Sequence, residues 1–148
     1  MKTTSILKGT MVAVLLSANF IVSAGDRVIP YSETPSSVKT YINTHFPNYK
    51  VLKVETDNDI LYKEYEVFLS NGIKVEFDGK EKSIKNISGQ SKLPESIIPK
   101  KVRDYVNKNY SGNTIVEYNL ENNGISVELS NDIELKFSTN GDFLRIDD

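Results

Sequence analysis

Hydrophobic positions along the chain follow a helical period and then an alternating period, and this succession occurs twice. The first stripe recurs at spacings of three and four residues, as on one face of a helix. Its members are Val38, Tyr41, Ile42 and Phe46, and the matching later stripe is Ile98, Val102, Tyr105, Val106 and Tyr110. Thr34 precedes the first stripe and is the expected cap of a helix whose first residue is Pro35. The pattern therefore predicts two helices.

After each helix the pattern changes to alternation, which is typical of strands with one buried face. The buried positions predicted for the first copy are Leu52, Val54, Thr56, Tyr65, Val67, Leu69, Ile73, Val75 and Phe77. Those predicted for the second copy are Val116, Tyr118, Leu120, Ile125, Val127, Leu129, Ile133, Leu135 and Phe137. A further strand is predicted in each copy, over residues 83–88 and 143–147.

The alternation also fixes the turn between the two clearest strands of the first copy. A two-residue loop would place the two apolar sets on opposite faces of the sheet. A three-residue loop over residues 70–72 pairs Leu69 with Ile73 instead, and both sets then face the core. Such a loop needs a left-handed third residue, which is Gly72 here and Asp132 in the second copy.

The two copies are also similar residue by residue. Ile29-Pro30-Tyr31-Ser32 returns 64 residues later as Leu93-Pro94-Glu95-Ser96, whereas Val67 returns as Val127, only 60 residues later. The first copy therefore carries a small insertion, which includes residues 60–62. We predict two tandem repeats, 29–92 and 93–148, each a helix laid on about four antiparallel strands.

Together the repeats predict an α+β fold. We expect one antiparallel sheet of about eight strands with two helices on one face, and a polar opposite face. The segment between the repeats is short and of ordinary composition. We therefore expect residues 25–148 to form a single domain.

The recurring residues resemble those of a known family. They are Leu93-Pro94, Val102, Tyr105-Val106, Tyr65-Glu66-Val67, Leu69, Asn71-Gly72, Val75-Glu76-Phe77-Asp78 and Phe46-Pro47. From Ile29 to Asp148 the chain resembles the PepSY-like proteins described as β-lactamase-inhibitor-like, taken as two units. The resemblance implies an exported, non-catalytic protein with an antiparallel sheet whose open face holds another protein.

Residues 1–24 have the pattern of a secretory signal peptide. Lys2 and Lys8 form a basic start, residues 11–18 are apolar except for Ser17, and Val22-Ser23-Ala24 is a small-residue cleavage site. The apolar run is shorter than the roughly 20 residues that a membrane-spanning helix needs. We expect a periplasmic or secreted protein with no membrane association once the signal is removed.

Charge and composition narrow the range of partners. Without residues 1–24, which carry two lysines and no acid, the chain has 16 basic and 20 acidic residues. Such a balance lacks the basic stripe that a phosphate backbone requires, so no nucleic acid is expected as a partner. The chain has no cysteine. Disulfides are therefore excluded, and apolar burial must stabilise the fold.

Catalytic chemistry has few candidates in this sequence. His45 is the single histidine, and no nucleophile or orienting acid accompanies it. We interpret it as a structural residue. With no cysteine and one histidine, a zinc site would need carboxylates, which zinc sites seldom use alone. We expect no catalytic residue, no metal ligand and no cofactor, and therefore no enzyme.

The polar face of the predicted sheet carries the remaining candidates. The three-residue loop places Glu66 opposite Glu76, where like charges are destabilising. Phe68 falls on the same polar face. Tyr62 shares its parity and is also expected there. The alternative is that these carboxylates are solvated and that nearby lysines reduce their repulsion, with no partner involved.

We predict that Tyr62, Phe68, Glu66 and Glu76 form a surface that binds a protein or peptide partner. The alternative is a protein that binds a small ligand or a cation such as calcium through its acidic residues. The sequence leaves the oligomeric state open.

Overall fold

The structure is a computed structural model, and it describes residues 26–57, 63–80 and 83–147. The expected signal peptide and the insertion residues 60–62 lie outside these ranges. The described chain contains β1 (Arg27–Ile29), α1 (Ser36–His45), β2 (Val51–Thr56), β3 (Tyr65–Leu69), β4 (Lys74–Phe77), β5 (Ile84–Ser88), α2 (Lys100–Asn109), β6 (Ile115–Glu121), β7 (Gly124–Leu129), β8 (Glu134–Phe137) and β9 (Phe143–Asp147).

The strands form one sheet in which every strand pairs antiparallel with its neighbour in sequence, from β1 to β9. The α+β class is therefore confirmed. The described residues contribute nine strands rather than about eight, because β1 also pairs with β2. A strand of three residues is too short for alternation to reveal, which is why the pattern did not predict it.

The two helices lie on one face of the sheet through the predicted stripes. Val38 and Ile42 of α1 are buried, and so are Val102 and Val106 of α2. The predicted cap is wrong: α1 begins at Ser36 after Pro35, with no side-chain cap. The Thr34 hydroxyl donates a hydrogen bond to the Tyr31 carbonyl instead. It thus reinforces the preceding 3₁₀ turn, Tyr31–Glu33.

The three-residue loops are confirmed in both repeats. The Leu69 amide donates to the Ile73 carbonyl at 2.9 Å, and the Leu129 amide donates to Ile133 at the same distance. Gly72 has a φ angle of 80° and Asp132 one of 64°. As a result, Glu66 pairs directly with Glu76 across β3 and β4.

Part of the predicted core is wrong, because β-bulges interrupt the alternation. The pairing of β2 with β3 shifts register between Val51 and Lys53. Leu52 falls in this shift and is 58% exposed, although alternation predicted it to be buried. A bulge inserts an extra residue that has no pairing partner, so alternation along the strand is broken there.

The second repeat has the same irregularity at Val116, between Ile115 and Glu117. Leu120 is also exposed, although its partner in register, Ile125, is buried.

The two repeats meet where β5 pairs with β6. Ile87 lies opposite Tyr118 at this junction and is fully buried. One cluster of buried side chains includes residues from both repeats. These features support the expectation that residues 25–148 form a single domain, which stays a prediction.

Candidate functional site

The sheet face turned away from the helices is called the outer face here. Strand register arranges its side chains in two rows that cross the sheet. From β2 to β9, the Glu55 row consists of Glu55, Glu66, Glu76, Asn86, Asn119, Ser126, Lys136 and Arg145. The Phe68 row consists of Lys53, Phe68, Lys74, Ser88, Glu117, Glu128, Glu134 and Asp147. Outer-face residues of each strand thus line up with those of neighbouring strands, and their charges form a pattern across the sheet.

Three carboxylates stand side by side in the first repeat. Glu66 lies between Glu55 and Glu76 on adjacent strands. Burial raises the pKa of Glu66, and the charge of Glu76 adds to this effect although Lys74 opposes it. Lys74 forms ion pairs with both Glu66, at 3.7 Å, and Glu76. One lysine therefore serves two carboxylates at this point of the outer face.

Phe68 lies between two lysines rather than among acids. Its neighbours in register are Lys53 on β2 and Lys74 on β4. The Lys53 ammonium stands 4.2 Å from the centre of the Phe68 ring, a cation–π geometry. The same ammonium pairs with Glu55 at 2.8 Å, and the two side chains are only 9% and 5% exposed. A buried ion pair thus fixes the half-buried ring of Phe68.

A second group of carboxylates lies in the Phe68 row of the second repeat. Glu117, Glu128 and Glu134 are direct neighbours on β6, β7 and β8. Burial raises the pKa of Glu128, and the charges of Glu117, Asp132 and Glu134 add to it. Among the residues that the structure describes, no lysine or arginine pairs with Glu128.

Sequence reasoning missed this second group. The arithmetic that placed Glu66 opposite Glu76 applies equally to the second repeat, where it places Glu128 opposite Glu134. That signal was therefore present in the sequence. The place of Glu117 beside Glu128 was not, because it depends on the bulge in β6.

The charge order of the two rows is reversed between the repeats. In the first repeat the Glu55 row is acidic and the Phe68 row carries lysines. In the second repeat the Glu55 row contains Lys136 and Arg145, while the Phe68 row is acidic. Lys136 pairs with Glu121 at 2.6 Å and with Glu134 at 2.7 Å. The acidic groups thus lie on a diagonal of the outer face.

Three of the four residues predicted for partner binding lie together. Glu66, Phe68 and Glu76 are all on the outer face of β3 and β4. Tyr62 lies outside the described residues. Partner binding by these four residues stays a prediction.

A small acidic cavity lies at the edge of the same region. Its volume is about 50 Å³, and its lining includes Asp26, Glu55, Thr56, Asp57, Glu64 and Glu66. Three of its carboxylates already have lysine partners, because Lys85 pairs with Glu64 at 3.0 Å, Lys53 with Glu55 and Lys74 with Glu66. Within the described ranges, no three His, Cys, Asp or Glu side chains converge in a way that could hold a metal ion.

His45 lies away from these carboxylates. Its ring stands 4.2 Å from the ring of Tyr41, centre to centre, at the end of α1. This packing agrees with a structural role for the histidine.

The chain belongs to the family described as "Putative beta-lactamase-inhibitor-like, PepSY-like". The family model matches it twice, over residues 21–85 and 63–145. Two overlapping matches agree with the tandem repeat. A comparison with curated proteins finds no match.

Three solved structures of the same fold come from Bacteroides species. A "putative calcium-regulated periplasmic protein" from Bacteroides thetaiotaomicron is 33% identical, with a TM-score of 0.76 over 83% of this chain and 97% of that one. Two proteins from Bacteroides vulgatus, each described as a "putative periplasmic protein", are 30% and 28% identical, with TM-scores of 0.74 and 0.75. The alignments cover 86% and 84% of this chain and all of each relative. In the described part of this chain, neither helix has the length and apolarity to cross a membrane.

Proposed function

We propose that this protein is an exported, non-catalytic binding protein that holds a protein or peptide partner on its outer face. The observation that carries the proposal is the placement of Glu66 and Glu128, one in each repeat. Each is partly desolvated and has like charges directly opposite. Such pairs destabilise a sheet. A basic group of a partner between these carboxylates removes that cost, so the folded protein is prepared for a cationic partner.

Phe68 supplies the apolar contact of this surface. The ring is held between Lys53 and Lys74, so little side-chain freedom remains to be lost on binding. Aromatic side chains that are fixed in advance are typical anchors of protein interfaces. Tyr62 extends the anchor in the proposal, as the sequence parity indicates.

The reversed charge order between the repeats predicts where the partner carries its basic groups. Glu66 on β3 and Glu128 on β7 are four strands apart, which is about 19 Å at the usual strand spacing. They lie in different rows. A complementary partner therefore presents two basic patches about this far apart, offset diagonally. A folded protein surface or a long peptide can satisfy this requirement.

Export is part of the proposal. It rests on the signal-like pattern of residues 1–24 and on the similarity to proteins described as periplasmic. The family description compares its members with β-lactamase inhibitors. That comparison agrees with a sheet face that covers another protein, and the proposal names no target enzyme.

Capture of partners from a periplasmic extract tests the outer face. We expect the immobilised protein to retain a defined set of proteins, and added salt to weaken the capture because carboxylates guide the approach. Phe68→Ala combined with Tyr62→Ala should abolish it, and Glu66→Gln combined with Glu128→Gln should weaken it.

Tyr49→Ala is the matched control. Tyr49 is 39% exposed and packs near Phe46 beside the end of α1, away from the outer face. It should leave the capture unchanged. An unchanged captured set and affinity in the Phe68 and Tyr62 variant would contradict the proposal.

Cation binding is the second candidate function. It is favoured by the acidic cavity that Asp26, Asp57 and Glu66 help to line, and by the similarity to a protein described as calcium-regulated. Among the described residues, no group of three His, Cys, Asp or Glu side chains is arranged so that it could hold a metal ion, which counts against it. If calcium binds there, millimolar calcium raises the melting temperature of the protein, and Asp26→Asn with Asp57→Asn removes the increase. An equal response to magnesium and calcium, or none, excludes a calcium site.

A further inference from the structure

The last strand of the described sheet, β9, has an uncovered edge. The same edge of its counterpart in the first repeat, β5, is covered. β5 and β9 hold equivalent positions, because Ile87 lies opposite Val75 and Ile146 lies opposite Leu135. The second edge of β5 pairs with β6, and Ile87 is fully buried there. β9 ends the strand order in the described chain, and Ile146 is 48% exposed. The chain itself thus shows how such an edge accepts a further strand.

The exposed edge is also apolar where the first repeat is charged. The register of β5 against β4 shifts at Lys85, and that of β9 against β8 shifts at Leu144. Lys85 forms an ion pair with Glu64, whereas Leu144 is 56% exposed. Proteins usually protect edge strands with charged residues, lysine above all, because exposed apolar edges pair with other strands. β9 lacks this protection at Leu144 and Ile146.

The charges of β9 are arranged for pairing with an identical strand. Arg145 and Asp147 flank Ile146 and lie on the outer face, where they pair with each other at 3.3 Å. In an antiparallel pair centred on Ile146, Arg145 of each strand lies opposite Asp147 of the other. Opposite charges in register stabilise such a pair, and like charges destabilise it. A pair centred on Arg145 would place the two arginines opposite each other.

We propose that β9 pairs antiparallel with β9 of a second copy of this chain, across a two-fold axis at Ile146. The two Ile146 side chains meet on the helix side of the joined sheet, and two Arg145–Asp147 pairs form on its outer face. An identical strand matches the apolar Ile146 on one face and the charges of Arg145 and Asp147 on the other, which favours a second copy over an unrelated peptide. A single strand pair buries a small area, so the dimer is weak and reversible.

Sedimentation velocity of the purified protein over about 1 µM to about 1 mM tests the dimer. The expected result is a concentration-dependent shift from monomer to dimer. Ile146→Lys should weaken the association at least about tenfold, because two ammonium groups then lie opposite each other. Val28→Lys is the matched control, since Val28 is 53% exposed on the strand at the other edge of the described sheet. It should leave the association unchanged.

Charge exchange tests the register independently. Arg145→Asp and Asp147→Arg should each remain monomeric alone, whereas a mixture of the two variants should dimerise because opposite charges face each other again. Circular dichroism confirms that each variant is folded. A wild-type protein that stays monomeric throughout, an Ile146→Lys variant that dimerises like wild type, or a mixture that fails to dimerise while the wild type does, overturns the proposal. None of these outcomes depends on a partner for the outer face.

Discussion

At the scale of single residues, the chain tolerates local strain and local repulsion at positions that the repeats make easy to compare. Gly72 and Asp132 occupy the same left-handed position in equivalent loops, one without a side chain and one with an unfavourable one. Glu66 and Glu128 both have raised pKa values on the outer face. Gly72 and Asp132 matter for the fold, whereas Glu66 and Glu128 matter for the proposed binding.

Gly72→Val should lower the free energy of unfolding by about 2 kcal/mol, because a β-branched residue strongly disfavours a φ angle of 80°. The Cβ itself meets no neighbour, since no atom lies within 4 Å of its position at Gly72. Urea denaturation measures the change. Asp132→Gly should raise the stability modestly because it relieves the equivalent strain. Equal stability of Gly72→Val and wild type would contradict the loop assignment.

Lys53→Met should lower the stability by about 3 kcal/mol, because it leaves the Glu55 carboxylate buried without its partner. The variant also loses the ammonium above the ring of Phe68. Lys53→Met combined with Glu55→Leu should recover much of the loss, since no unpaired charge then remains buried. A double variant that is no more stable than the single one would show that the lost charge pairing is not the cause.

The raised pKa of Glu66 should make the stability of the protein depend on pH. The folded protein holds this proton more firmly than the unfolded chain, whose glutamate pKa is 4.5. Glu66 therefore favours folding least above its folded pKa, and its contribution to stability falls as the pH rises from about 4.5 through that pKa. Glu66→Gln should remove this decline from the curve of unfolding free energy against pH.

Glu95→Gln is a control of opposite sign. Pairing with Lys92 lowers the pKa of Glu95. Its contribution is present above the unfolded pKa and is lost as the pH falls through the folded one. The two variants should therefore change the curve in opposite directions, and a change in the same direction would contradict the pKa assignments.

At the scale of elements, the repeats place equivalent strands in different surroundings. β5 and β9 have equivalent registers against β4 and β8, but β6 covers only β5. Ile87 and Ile146 thus have the same side chain and the same register, with opposite burial. The difference measures what the junction between the repeats contributes.

Ile87→Ala should lower the free energy of unfolding by about 2–5 kcal/mol, as expected for a fully buried isoleucine. Ile146→Ala should cost about 0.5 kcal/mol when it is measured on dilute protein, because that side chain is half exposed. Chemical denaturation compares the two directly. Similar losses for both variants would mean that β6 does not provide the burial of Ile87.

At the scale of the whole molecule, the nine described strands form one sheet over a core that both repeats share. We predict that the repeats unfold together. Val67 and Val127 are equivalent, fully buried residues of β3 and β7, and their amides should report the same denaturation midpoint by NMR. Two separate midpoints would show that the repeats are independent domains.

How much the sequence predicted depends on the range over which each signal acts. The helix stripes and the loops at Gly72 and Asp132 were predicted because they depend on neighbouring residues. The cap at Thr34, the burial of Leu52 and the strand β1 were not. Each of these depends on a competing local hydrogen bond or on register with a distant strand. The site followed the same division, since the loop length places Glu66 opposite Glu76 and Phe68 opposite Lys74. The position of Lys53 beside Phe68 depends instead on the bulge in β2.

The sequence by itself determined the two repeats, the period of each predicted element, the face to which strand residues point away from the bulges, and the opposition of Glu66 to Glu76. These follow from alternation and loop length, which act over a few residues. Only the tertiary structure decided where the bulges shift the register between neighbouring strands and where the sheet ends. The shifted registers placed Lys53 over Phe68 and aligned Glu117 with Glu128. The strand order left the edge of β9 uncovered in the described chain. Bulge positions and sheet edges depend on the packing of the whole sheet, which no local pattern encodes.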